Sequence, residues 1–342
     1  MSKTITINDI AEQLNLSRNT VSKALNGKYV PEKTRIKVLE KARELNYKMM
    51  NLDGFEIQKN EKHRILLLSG KPLNNINFFI PIVKGIENYC YNMEYEYIQY
   101  VYNSYTTSFK ALATGIHEMN LDGIIAIETF EEELVNKLLN LNIPVCFIDF
   151  CPNQRNISGK YDIIETNNFR SVNELVSELI EKHKIKNFSF VGDISHCLSF
   201  KDRYLGMLSA LSTNNIQHDY SLDILKSDNF DYGNTQIIKT EILKLKKNPD
   251  CYVCGNDFIA RTVVNSLREL GIKTPEDCLV VGFDNAIESV FQHPTITSIG
   301  INKEQIGVET VKALINRIKN IDTVNKTISL ETKIIRREST NR

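Results

Sequence analysis

The sequence predicts an α/β chain, with a small all-helical head followed by two doubly wound lobes. Three observations carry this. Residues 6–47 place apolar side chains at helical spacing in three short blocks. From residue 63 short apolar runs alternate with amphipathic stretches. That alternation continues for about 280 residues, more than one doubly wound unit holds.

In the head, Ile7, Ile10, Ala11 and Leu14 line one face of the first helix. Val21, Ala24 and Leu25 do the same for the second, and Val38, Leu39, Ala42 and Leu45 for the third. Ser17 is a start signal for the second helix, and Pro31 with Glu32 for the third. Residues 1–48 are read as this head. Residues 49–62 are polar, contain a Gly and lack periodicity, which marks a linker.

In the body the apolar runs are 63–69, 95–100, 123–127, 145–149, 188–192, 251–254 and 279–282. Amphipathic stretches between them include 79–93, 132–141, 172–180, 204–211 and 259–270. Strand–helix alternation of this kind builds parallel sheets covered on both faces. The expected division is an N-lobe of about 63–160 and 295–320, and a C-lobe of about 161–294 and 321–342.

Composition narrows the function. With 342 residues, 42% hydrophobic and 25% charged, the chain has ample core and no stretch approaching a membrane span. The start of the chain runs into polar sequence without an apolar signal core, so the expected location is the cytoplasm. Seven scattered cysteines fit reduced thiols better than a disulfide framework. The net charge of zero conceals an asymmetry: residues 1–50 hold ten Lys/Arg against five Asp/Glu, so a +5 head precedes a −5 body. A basic head on a slightly acidic body fits a nucleic-acid partner for the head, although a solvated helix surface would look the same on charge alone.

Residues 6–26, TINDIAEQLNLSRNTVSKALN, carry the strongest chemistry. Two helices that cross closely need a small residue, supplied by Ala11, and a turn residue tolerant of a left-handed backbone, supplied by Asn15. Ser17 caps a second helix whose outer face is Arg18, Asn19, Ser22 and Lys23. Such a helix enters the major groove, where Arg suits guanine O6/N7 and Asn suits adenine N6/N7. Ser17, Thr20, Ser22, Asn26 and Thr34 suit phosphate contacts, and Thr6 completes the expected DNA-binding set.

These residues resemble the lactose-repressor family of bacterial regulators. The likeness continues through LNG (25–27), PEKTR (31–35), Val38 with Leu39, and ELNY (44–47). In the body it takes in NFF (77–79), GIE (85–87), LDGII (121–125), IPV (143–145), Asp149, Arg203 with Gly206, Asn256 with Asp257, VGFD (281–284) and REST (337–340). The resemblance implies two lobes of the periplasmic-binding-protein type and an effector held between them. It also implies base contacts at Arg18, Asn19 and Lys23. The implied partners are a palindromic operator duplex, a small-molecule effector, most simply a sugar or sugar derivative, and a second copy of the chain. The implied function is an allosterically controlled repressor rather than an enzyme, with no cofactor and no membrane partner. The alternatives are an enzyme or a binding protein acting on a sugar- or nucleotide-like molecule. The first would need a nucleophile–base pair or a metal set, and neither is found; the second would be expected to carry an export signal.

Open α/β sheets bind ligands beyond the carboxyl ends of their strands. Asp149, Asn256 and Asp284 sit at such ends, as does Ser69. With Arg203 and Phe79 they form the expected effector set, carried over position by position from the resemblance. For Asp149 and Asp284 the competing reading is turn or capping chemistry; for Ser69 and Phe79 it is simple packing. The body lacks Trp, so a ring-stacking face would fall to Phe79, Phe150 or Phe283.

The linker departs from the family pattern. Aligned from Tyr47, the usual Pro-Asn pair falls at Met49 and Met50, and the family's minor-groove leucine falls at Glu56, whose carboxylate cannot replace base stacking. Leu52 and Phe55 are the remaining apolar hinge candidates. Cys251 and Cys254 form a CxxC, but inside a strand residues i and i+3 face opposite ways, so they cannot share a metal. No Gly-rich phosphate loop follows any strand.

Overall fold

A computed structural model describes residues 5–25, 28, 30–45, 47, 63–153, 157–227 and 229–342. The linker and its hinge candidates Leu52 and Phe55 lie outside the described residues, as does Asn26. The chain divides into two compact units, Met1–Lys62 and His63–Arg342.

The first unit contains α1 (Ile7–Leu14), α2 (Arg18–Leu25) and α3 (Glu32–Glu44). Thr6 and Asp9 cap α1 reciprocally, side chain to backbone in both directions. Asn15 closes α1 in the left-handed region at φ 51°. Ile10, Ala11, Val21, Ala24, Val30, Val38 and Ala42 form one shared core. Ala11 is buried in it, so a larger side chain there would push the helices apart.

The second unit contains two sheets. Its strands are β1 (His63–Ser69), β2 (Tyr95–Val101), β3 (Gly123–Ile127), β4 (Val145–Ile148), β5 (Tyr161–Thr166), β6 (Phe188–Val191), β7 (Cys251–Cys254), β8 (Leu279–Asp284), β9 (Thr297–Gly300), β10 (Lys326–Leu330) and β11 (Lys333–Ile335). The first sheet runs β10-β5-β4-β3-β1-β2, parallel throughout. The second runs β11-β9-β8-β7-β6, with only β11 antiparallel. The helices are α4 (Ile76–Asn92), α5 (Phe109–Glu118), α6 (Glu132–Leu139), α7 (Asn168–His183), α8 (Leu198–Thr213), α9 (Thr235–Lys244), α10 (Asp257–Glu269), α11 (Ile287–Phe291) and α12 (Lys303–Lys319). The central strands are buried on both faces, which is why they read as continuous apolar runs.

The expected lobe boundaries need correction. β5 and β10 belong to the first sheet rather than the second lobe, and β9 belongs to the second sheet rather than the first. The chain therefore changes lobe after Thr166, after Gly300 and after Leu330. Apolar patterning identifies a strand but carries no information about which sheet it joins. The late segments join the first lobe through the β10–β5 pairing, the apolar face of α12 and a buried ion pair. Arg317 of α12, 1% exposed, donates through Nε and Nη2 to the Asp162 carboxylate of β5 at 2.8 and 2.6 Å. The same carboxylate accepts the backbone N–H of Lys326, the first residue of β10, at 2.8 Å. α4 and α12 also approach each other across glycines: a Cβ on Gly307 would lie 2.1 Å from the Ile82 carbonyl oxygen, and one on Gly85 2.2 Å from that of Glu304.

Cys251 and Cys254 pack into different cores on opposite faces of β7, as the strand period requires. Burial raises both thiols well above the ordinary cysteine range.

Candidate functional site

On the head, Arg18, Asn19 and Lys23 project from α2 into solvent, while Val21 and Ala24 face the core. Ser17 accepts the Thr20 backbone N–H at 3.1 Å and exchanges a 2.8 Å hydroxyl bond with the Thr20 side chain. Thr6 is occupied by its cap, its hydroxyl 2.6 Å from the Asp9 carboxylate. Ser22 and Thr34 are half-buried. The outer face of α2 thus carries two cations and an amide without an interleaved acid, the charge pattern that a duplex groove attracts.

In the body, the carboxyl ends of both sheets border one cavity of about 250 Å³. Phe79, Asp149, Arg203, Asn256 and Asp284 all line it. Ser69 does not: it is fully buried and its hydroxyl donates to the Lys71 carbonyl, so the strand-end serine is used up in its own turn.

Arg203 is the pivot of the polar wall. It is 5% exposed. Nε donates to Asn168 Oδ1 at 2.9 Å and Nη1 to the Gly255 carbonyl at 2.6 Å. Nη2 lies 3.6 Å from Asp284 Oδ1, and the guanidinium stacks 3.6 Å above the Phe283 ring. Asp284 is buried, and no hydrogen bond reaches its Oδ1. Burial pushes its carboxyl above the usual range, against the opposing pull of Arg203 and Lys303. Lys303, first residue of α12, donates to the Asp284 carbonyl at 2.6 Å and so links the two lobes.

Asp149 lines the cavity and also makes the capping bonds of a helix start. Its Oδ1 accepts the backbone N–H of Phe150 at 2.7 Å and that of Ser199, in the first turn of α8, at 3.1 Å. It therefore caps a second-lobe helix from the first lobe. Leu198 N–H to Phe150 carbonyl at 2.8 Å and Lys201 Nζ to Pro152 carbonyl at 2.8 Å complete that seam. Asn256 caps α10 through Oδ1, which accepts from Ile259 at 3.0 Å.

Three lining residues without glycine's freedom hold positive φ: Glu128 at 54°, Asp149 at 60° and Asp284 at 94°. Such conformations persist only where surroundings over-determine them, and they gather at functional sites.

Sequence reasoning missed part of the lining. Phe78, Phe130 and Phe200 supply apolar faces, whereas Phe150 is fully buried and stacked on Tyr161 and Phe283 lies beneath Arg203. Glu165 also lines the cavity, its carboxyl pushed up to about 7 by burial and then by the charges of Asp202 and Asp149. The run Ile163 and Ile164 followed by Glu165 is a strand-end signal of the same kind as those recognised elsewhere.

A basic-faced helical head and a two-lobed α/β body with an interlobe cavity together define a class: a DNA-binding regulator. Comparison with known proteins agrees. Residues 6–49 match the model of the bacterial regulatory proteins, lacI family, and residues 176–340 match a periplasmic binding protein-like domain. The chain is 30% identical over 342 residues to the NTD biosynthesis operon regulator NtdR of Bacillus subtilis, covering 98% of this chain and 99% of that one. It is 25% identical over 340 residues to the HTH-type transcriptional repressor PurR of Aliivibrio salmonicida, covering 98% and 99%. Among solved structures, the transcriptional regulator CelR–cellobiose complex superposes with a TM-score of 0.70 at 20% identity, over 98% and 99% of the two chains. The lac repressor dimer bound to operator and the anti-inducer ONPF superposes equally well, TM-score 0.70 at 21% identity over 99% and 100%; at these identities the likeness is one of fold. The chain belongs to the lacI family of bacterial regulatory proteins, and it is a DNA-binding transcriptional regulator. Among the described residues no helix is long and apolar enough to cross a membrane.

Proposed function

We propose that this regulator is a repressor controlled by a small hydroxylated molecule bound between its lobes. The carrying observation is the 250 Å³ cavity into which Asp149, Arg203, Asn256 and Asp284 converge beside Phe79. That volume lies just below the about 300–1,000 Å³ usual for ligand sites, which fits a single-ring ligand. Carboxylates, amide and guanidinium are acceptors and donors of defined direction, the chemistry that orients hydroxyl groups. Cellobiose in CelR, and ribose in a LacI-family regulator from Enterococcus faecium, support a sugar-like ligand. Because Asp149 caps α8 from the opposite lobe, a ligand beside it changes the seam between lobes. DNA affinity then shifts by the coupling free energy between the two sites.

Arg18, Asn19 and Lys23 read base edges in this proposal, and Ser17, Thr20, Ser22 and Thr34 position the head on phosphates. The chain acts as a homodimer on a palindromic site. Large exposed apolar side chains on α4 (Ile76, Ile80) and α11 (Val290, Phe291) support a self-association surface.

Duplexes selected from a random pool on the full chain test the DNA half. A palindrome is expected, and Arg18→Ala or Lys23→Ala should each cost about 1–3 kcal/mol while relaxing one position per half-site. Unchanged binding by the double variant at near-physiological salt would overturn the assignment. A thermal-shift panel of sugars, sugar phosphates and nucleobases tests the ligand half, since a ligand binding only the native state raises Tm. Phe79→Trp, which fills the cavity, should abolish any shift, and a shift that persists in that variant would place the ligand elsewhere.

A further inference from the structure

The cavity is lined by acids, and one of them, Glu165, has no balancing partner. Asp149, Glu165 and Asp284 line it against a single guanidinium, even with Glu128 set aside. Arg203 spends Nε and Nη1 on Asn168 and Gly255 and faces Asp284 only with Nη2. Asp284, 7% exposed, keeps an Oδ1 without a hydrogen bond. Among the described residues no hydrogen bond or ion pair reaches the Glu165 carboxylate, and the charges that act on it most, Asp202 and Asp149, are both acids. The rest of the lining mixes the neutral polar side chains of Asn75, Thr166, Ser199 and Asn256 and the His196 ring with aromatic faces, Phe78, Phe79 and Phe200 among them.

Each ligand class meets this wall differently. A phosphate or carboxylate would enter against the carboxylates and find most of the guanidinium already engaged. A neutral polyol would displace solvent from Glu165, whose carboxyl is already pushed up to about 7, and would leave it protonated, whereas a cation is favoured by its charged form. A metal ion is not favoured either, because no group of three or more metal-ligating side chains occurs among the described residues. An ammonium group supplies three donors and one positive charge, and aromatic faces add cation–π attraction.

Building on the reading of this cavity as the effector site, we propose that the effector is a hydroxylated amine of about one sugar ring, an amino sugar in the simplest case. Its ammonium is received by Glu165 with Asp149, and its hydroxyls by Arg203, Asn256 and Asp284. Glu165 is then the residue that distinguishes an amine from the alcohol it replaces.

The test uses full-length protein and matched pairs by thermal shift and calorimetry at neutral pH: glucose and glucosamine, galactose and galactosamine, mannose and mannosamine, with glucose 6-phosphate as the anionic member. At least one amine should bind about tenfold or more tighter than its alcohol, a difference of about 1.4 kcal/mol or more. Glu165→Gln should bring that pair to within about threefold of each other, because an amide hydrogen-bonds without charge. If a neutral or phosphorylated member binds as well as its amine counterpart or better, the amine proposal falls while the effector cavity stands. If an amine is preferred and Glu165→Gln leaves the preference intact, the assignment to Glu165 falls. If none of the amines binds, the proposal falls too. The cavity itself is then judged by whether Phe79→Trp abolishes binding of whichever member of the wider panel does bind.

Discussion

Arg203 couples the site to the stability of the body, and replacing it by Met isolates that role. Methionine keeps most of the aliphatic volume over Phe283 and removes the charge. The structure loses the 2.9 Å bond to Asn168, the 2.6 Å bond to the Gly255 carbonyl and the 3.6 Å partner of Asp284. The dominant cost is the stranded Asp284 carboxylate. Breaking a buried pair from one side typically costs about 3–5 kcal/mol. For a body of this size that is a fall in Tm on the order of 5–15 °C. The carboxyl of Asp284 is already raised by burial, and losing Arg203 removes a force that lowers it. The deficit of Arg203→Met should therefore narrow as pH falls, because the stranded group takes up a proton. Asp284→Asn in the same chain should recover a large part of the loss at pH 8, since no charge is then left unpaired. Denaturant unfolding of the four proteins of this cycle at pH 8 and pH 5.5 measures each quantity. A loss below about 1 kcal/mol for Arg203→Met would refute the reasoning. So would an Asp284→Asn change that adds to the loss instead of relieving it.

Gly307→Ala should cost about 1–3 kcal/mol or more, because its Cβ would meet the Ile82 carbonyl at 2.1 Å; unaltered thermal unfolding would contradict the close crossing of α4 and α12. Asp257 is buried, with a carboxyl held at about 7 chiefly by desolvation and then by the Asp284 charge. The folded state keeps this proton longer than the unfolded chain, so its contribution to stability declines as pH rises from about 4 to about 7 and then levels off. Asp257→Asn should flatten that window in a pH series of Tm, and an unchanged slope would remove Asp257 as its source. In the linker, with Glu56 where the family places a leucine, the expectation is that Phe55 serves as the hydrophobic wedge or that operator bending is weak. Circular-permutation gel shifts with wild type and Phe55→Ala separate the two, and strong bending unaffected by either Phe55→Ala or Leu52→Ala would defeat both.

Much of the architecture is legible in local patterning. Ala11, Asn15 and Ser17 mark the crossing, the turn and the cap of the head, and each occupies that role. Periodicity marks helix starts late: α7 begins at Asn168 and α8 at Leu198, whereas the apolar period begins at 172 and 204, because the first turns are polar or point into the cleft. β5, β9, β10 and β11 lie outside the apolar runs that mark strands in the sequence. β10 and β11 are short and largely solvated, so they lack the apolar run that betrays a central strand.

The sequence by itself determined the two-part α/β plan, the basic outer face of α2, and the strand-end polar residues Asp149, Asn256 and Asp284, because helical and strand periods and strand-end chemistry are local properties of a chain. Only the tertiary structure decided which sheet receives β5, β9 and β10, that Ser69 turns away from the cavity, and that Glu165 turns into it. Those outcomes depend on contacts between residues far apart in sequence, such as Arg317 with Asp162 and Arg203 with Gly255. Nothing in a local pattern records a partner that lies 155 or 52 residues away.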